Sequence, residues 1–117
     1  MWAAVNGHKD VVLLLLDRGA DPNLANQDEG WTPLSRAARQ GHKDVVLLLL
    51  DRGADPNIAD RDGWTPLYWA ARKDRKDTVL LLLDRGADPN LATTLGWTPF
   101  LMAALQGHIL KEYGATV

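Results

Sequence analysis

Three histidines recur along the chain, His8, His42 and His108. Histidine is the commonest metal ligand. His42 stands one sequence repeat after His8 and His108 two repeats after His42, and packed helices lie on the order of 10 Å apart, against about 2.1 Å for a Zn–N bond. The spacing therefore argues against shared ligation, and neither a metal nor another cofactor is expected. Asp21, Asp55 and Asp88 form another recurring titratable set. Each sits in an Asp-Pro-Asn segment, where a turn carboxylate bonds local backbone N–H groups. The chain has no Ser/His/Asp order, glycine-rich phosphate loop or HExxH string, so no catalytic residue is assigned. It also has no cysteine, which removes thiol chemistry and fits a reducing, intracellular setting, cytoplasmic or nuclear. What remains is recognition chemistry: Trp69 with Arg36, Arg39, Arg72, Lys73 and Arg75 around it. Tryptophan and arginine are the residues most enriched at binding hot spots.

Composition narrows the partner. Net charge is −2 and 46% of the residues are hydrophobic, enough for a packed core in one small domain of 117 residues. Near-neutral charge does not favour nucleic acid or an anionic membrane surface. The apolar run Val11 to Leu16 is far too short to span a bilayer, and no secretory signal is visible at the N-terminus.

The positioning elements come from repetition. The stretch KDVVLLLLDRGADPN runs from Lys9 to Asn23, returns at Lys43–Asn57, and returns again at Lys76–Asn90 with Thr78 for valine. The DRGADPN blocks start at Asp17, Asp51 and Asp84, spacings of 34 and 33 residues. GWTP recurs at Gly30, Gly63 and Gly96, and the extra residue of the first interval falls in the tip before it. Thr32, Thr65 and Thr98 are N-caps followed by proline at the first helical position. Helices are predicted from Pro33, Pro66 and Pro99 through the pairs Ala37–Ala38, Ala70–Ala71 and Ala103–Ala104. Gly41–His42 breaks the first of them, and a second helix follows over about Lys43–Arg52. One unit is hairpin tip, helix, tight turn, helix.

The 33-residue period with TPL, AA, GH, VV-LLL and GAD-N resembles the ankyrin repeat. The resemblance implies an all-α solenoid of stacked helix–turn–helix units with short β-hairpin loops. It also implies a non-catalytic module that binds other proteins through the tips and the concave face of the first helices. The units are partial 1–25, 26–59, 60–92 and truncated 93–117, read as two internal units with partial ones beside them, a fragment of a longer array. The near-identical copies favour an engineered or recently duplicated protein. Val11, Val12, Leu14, Leu15, Leu16 and their counterparts are the cement between units. The family usually has histidine where Ser35, Tyr68 and Leu101 stand, so the polar tether that the resemblance implies is not expected here. Asn23, Asn57 and Asn90 match the turn position modified by asparaginyl hydroxylases, but a turn asparagine bonding its own backbone is expected instead.

Function is expected where copies differ. The rows Trp2, Arg36, Trp69, Met102; Val5, Arg39, Arg72, Leu105; and Asn6, Gln40, Lys73, Gln106 line the concave face by family geometry. The partner site is assigned to Arg36, Arg39, Tyr68, Trp69, Arg72 and Lys73, with Leu95, Met102 and Leu105 on its apolar side. Trp69 is expected to be an exposed anchor, and the partner to be a protein with an acidic surface. Trp31, Trp64 and Trp97 read as a packing ladder. Leu13, Leu47 and Leu80 form an apolar stripe on the convex back, either covered by lysine and arginine stems or available for weak self-association, which the uncapped ends would also allow. The alternative to a binder is a structural or spacer array with no dedicated partner site.

Overall fold

The computed structural model describes residues 8–112, with side chains to 106. Trp2, Val5, Asn6 and the His108 side chain lie outside it. Six α-helices follow in order: α1 Lys9–Asp17, α2 Pro33–Gln40, α3 Lys43–Asp51, α4 Pro66–Arg72, α5 Lys76–Asp84 and α6 Pro99–Glu112.

Local chemistry starts each first helix where expected. The hydroxyls of Thr32, Thr65 and Thr98 accept from the backbone N–H groups of Ser35, Tyr68 and Leu101 at 3.2, 3.2 and 3.1 Å. Proline then occupies the first helical position of α2 and α4. The end of α2 is a left-handed Gly41, φ 75°. Its counterpart closing α4 is Asp74, a non-glycine residue at φ 58°.

The helices form two layers. The first helices α2, α4 and α6 pack on one another, the second helices α1, α3 and α5 do the same, and α2 pairs with α3 and α4 with α5 within a unit. The core is Leu34, Ala37, Ala38, Val45, Val46, Leu49, Leu67, Ala70 and Leu82, with Val12, Ala54 and Ala87. The alanine pairs let backbones approach, and the branched residues fill the space between layers.

The cement is less uniform than the letters. Val45, Val46 and Leu49 of α3 are buried, because α1 and α5 flank that helix on both sides. Their copies Val11 and Leu15 in α1 are exposed, as are Leu14 and Leu83. The leucine row is likewise graded: Leu13 is half-buried, Leu47 is 36% exposed and Leu80 60%.

Polar ladders join the units. Each turn aspartate accepts from the asparagine N–H two residues on, at 2.9 Å, as expected. The side chains of Asn23 and Asn57, however, reach outward to the next unit. Asn23 donates to the Gly53 carbonyl at 3.2 Å and accepts from the Asp55 N–H at 2.7 Å. Asn57 repeats the pattern on Gly86 and Asp88 at 3.2 and 2.8 Å. The expectation of a bond to its own backbone fails because the neighbouring turn stacks within reach. Arg52–Asp17 and Arg85–Asp51 pair at 2.7 and 2.6 Å, so the second and third DRG blocks link back to the unit before them.

The tips are turns, with no strand assigned among the described residues. Asn26, Asp60 and Thr93 each donate a backbone N–H to the carbonyl of Trp31, Trp64 and Trp97 at 2.9, 3.0 and 2.8 Å. Successive tips are joined by Arg61 N–H to the Glu29 carbonyl and Thr94 N–H to the Asp62 carbonyl, both at 3.0 Å.

The Gly41–His42 break has no counterpart at Gly107–His108: α6 runs on through both residues. A single glycine disfavours a helix by only about 1 kcal/mol. In the two preceding units the break leads into a docked apolar helix, VVLLLL or TVLLLL, and the sequence after His108 carries no such run.

Candidate functional site: an aromatic and cationic concave face

The tip before α4 organises this face. Asp60 is 8% exposed, yet its carboxylate is fully engaged. One oxygen accepts from the backbone N–H groups of Asp62 and Trp64 at 3.0 and 2.9 Å. The other accepts from two indole N–H groups, Trp31 of the preceding unit at 3.1 Å and Trp69 of its own at 3.0 Å. A buried carboxylate is tolerated only when its lone pairs are satisfied in this way. The equivalent residues carry less: Asn26 takes the backbone N–H groups of Glu29 and Trp31, and Thr93 takes that of Trp97.

Trp69 therefore has a folding role, which corrects its reading as a free-standing anchor. It is half-buried, edge to face with Trp31 at 5.5 Å and 79°, and tilted on Trp64 at 4.4 Å and 57°. Its ring completes the ladder that Trp31 and Trp64 begin. Such pairs contribute about 0.5–1.5 kcal/mol beyond their buried area.

The cations stack on these rings. The Arg36 guanidinium lies 4.2 Å from the Trp31 centroid. Arg39 lies 5.5 Å from the same ring and 4.9 Å from Trp69, and Arg72 lies 5.4 Å from Trp64. The Nε atoms of Arg36 and Arg39 are buried without a hydrogen-bond partner. Burial, and then the neighbouring charge of Arg39, push the Arg36 pKa down, and Glu29 offsets part of this. Among the described residues, no ion pair involves Arg36, Arg39, Arg72 or Lys73.

Beside this cluster runs a groove of about 260 Å³ between α4, α6 and the tip that joins their units. Trp64, Tyr68, Arg72, Thr93, Leu95, Trp97, Met102 and Leu105 line it. Five of the nine residues assigned from the sequence thus converge: Tyr68, Arg72, Leu95, Met102 and Leu105. Arg36, Arg39 and Trp69 sit together in the adjoining cluster, with Arg72 over Trp64 linking the two. Lys73 caps the end of α4 and is exposed. Two assignments change character. Tyr68 is 4% and Met102 5% exposed, so they form the floor rather than the rim. Tyr68 is wedged 4.8 Å from Trp64, and burial raises its hydroxyl pKa. Leu95 is 84% exposed and Leu105 is also open to solvent.

Asp60 organises this face, and the sequence reading does not single it out. Its signal is present: Asn26, Asp60 and Thr93 occupy one tip position, and each is a side-chain acceptor. That only Asp60 also receives two indoles depends on Trp69, which has no copy in the other units described.

Stacked helix pairs with hairpin-like tips and an open first-helix face define a repeat solenoid. A family model of ankyrin repeats, in three copies, matches residues 1–93, and the chain belongs to the ankyrin repeat family. No curated protein matches it. Ankyrin repeats are generally protein-interaction modules and typically non-catalytic. Among the described residues, no group of His, Asp or Glu is placed to hold a metal ion, and no helix is long and apolar enough to cross a membrane.

Proposed function

We propose that the chain is a non-catalytic protein-binding module whose contact surface is the groove between α4 and α6 together with the cationic cluster beside it. One observation carries the reading: Leu95 and Leu105 expose apolar surface at the mouth of a groove walled by Trp64 and Trp97. Fully burying a leucine side chain contributes about 1.5–3 kcal/mol, and Leu95 gains almost none of this from folding. A partner's apolar side chain entering the groove would release that energy. Arg36, Arg39, Arg72 and Lys73 at the rim favour acidic residues next to that anchor and speed encounter.

The test is panning of a displayed peptide library against the chain. Peptides with one apolar anchor flanked by Asp or Glu should be enriched, and binding should be lost with Leu95→Asp or Leu105→Asp but kept with Leu24→Asp, which lies in another turn. Trp69→Ala is a poor probe, because it also removes a bond to Asp60. Enrichment indifferent to Leu95→Asp and Leu105→Asp, or none at all, would favour a spacer array instead.

A further inference from the structure

Arg36 and Arg39 lie one turn apart on α2, over a shared indole, and neither forms a salt bridge among the described residues. Like charges held this close repel, and half-burial reduces the screening by water. Glu29 offsets this for Arg36 only in part, and the nearby carboxylate oxygens take their hydrogen bonds from other donors. Both oxygens of Asp60 take N–H groups, and Glu29 accepts from the Asn26 amide at 2.8 Å. With each Nε buried, the terminal guanidinium nitrogens are the donors left to present. Planar guanidinium forks match the oxygens of a carboxylate or phosphate. Asp60 holds Trp31 and Trp69 by their N–H groups, so the surfaces that seat the cations are fixed in advance across the boundary between two units.

We propose that Arg36 and Arg39, seated on the Trp31–Trp69 pair that Asp60 positions, form a prearranged oxyanion subsite that takes a carboxylate or phosphate group carried by the protein partner. The assignment of that partner rests on the proposed binding function, but the existence of the subsite does not. A preformed seat is favourable because little side-chain freedom is lost when the anion arrives.

NMR titration tests it directly, following the Nε–Hε signals of Arg36 and Arg39 and the indole N–H signal of Trp31. Inorganic phosphate and acetate are added against chloride at constant ionic strength. Saturable shifts are expected at these three groups. Affinity should fall at least about fivefold, the loss of one charge-assisted contact, in Arg36→Gln and in Arg39→Gln. Arg18→Gln, an exposed cation at the end of α1, should bind as the parent does. Asp60→Asn should weaken binding while leaving a dispersed, folded spectrum. Phosphate saturating well below acetate would identify a phosphorylated side chain as the source, and comparable saturation a partner carboxylate. Shifts that grow linearly without saturation, or that persist unchanged in Arg39→Gln, would overturn the subsite. A short oligothymidylate that saturates the same signals below both anions would overturn the assignment to a protein. If the anions saturate the pair while displayed peptides ignore Leu95→Asp, the subsite stands and the groove reading falls. If peptides need Leu95 while the arginine pair ignores anions, the groove stands and the subsite falls.

Discussion

Replacing Asp60 by asparagine isolates the two indole bonds from the rest of its environment. The preceding tip provides the control. Asn26 stands at the same position there and takes the Glu29 and Trp31 backbone N–H groups through its side-chain oxygen, at 3.2 and 3.0 Å. An amide at residue 60 can therefore keep the Asp62 and Trp64 backbone bonds. It replaces the second carboxylate oxygen with an NH2 group, which faces two indole donors and accepts from neither. Hydrogen bonds to charged groups contribute about 1.5–3 kcal/mol each. Both indoles are half-buried, so water compensates in part and the lower end applies. Asp60→Asn should thus destabilise the chain by about 2–4 kcal/mol. Urea unfolding followed by far-UV circular dichroism gives the loss without relying on tryptophan emission. Trp69→Phe completes a double-mutant cycle, and the coupling between the two sites should be about 1–2 kcal/mol. A coupling below about 0.3 kcal/mol, within the scatter of independent sites, would refute the clamp.

Gly63→Ala should cost more than about 2 kcal/mol, because residue 63 has φ 80° and a Cβ there would lie 2.7 Å from the Thr94 nitrogen. Gly96→Ala, at φ 87° with open space around it, should cost only about 1 kcal/mol, and equal losses in urea midpoints would show that the tip-to-tip approach is not tight. Asp74→Gly relieves a left-handed residue at φ 58° where the preceding unit has Gly41, and should raise stability by about 0.5 kcal/mol. A lower unfolding midpoint would show that the Asp74 side chain contributes more than its backbone loses. Leu47→Lys with Leu80→Lys should abolish weak self-association in sedimentation velocity, since both leucines are exposed on neighbouring second helices. A parent chain that stays monomeric at high concentration removes that idea.

The sequence by itself determined the elements. Threonine before proline fixes where α2, α4 and α6 begin, and glycine fixes where α2 ends, because caps and left-handed turns act over a few bonds. Period and motif determined the stacking. The cations and apolar residues of the concave face were legible as a group, since the repeat frame places equivalent positions on one side. Tertiary structure decided everything that depends on a neighbour. KDVVLLLLD is written identically in α1 and α3, yet Val11 and Leu15 are exposed where Val45 and Leu49 are buried. Trp69 reads as a lone aromatic and is instead held by an aspartate nine residues away and a tryptophan from the previous unit. Met102 shares a row with Arg36 but forms the floor of a groove. Helix start and stop are set by bonds within a few residues, whereas burial is set by what packs against the finished helix, and identical letters carry no record of that.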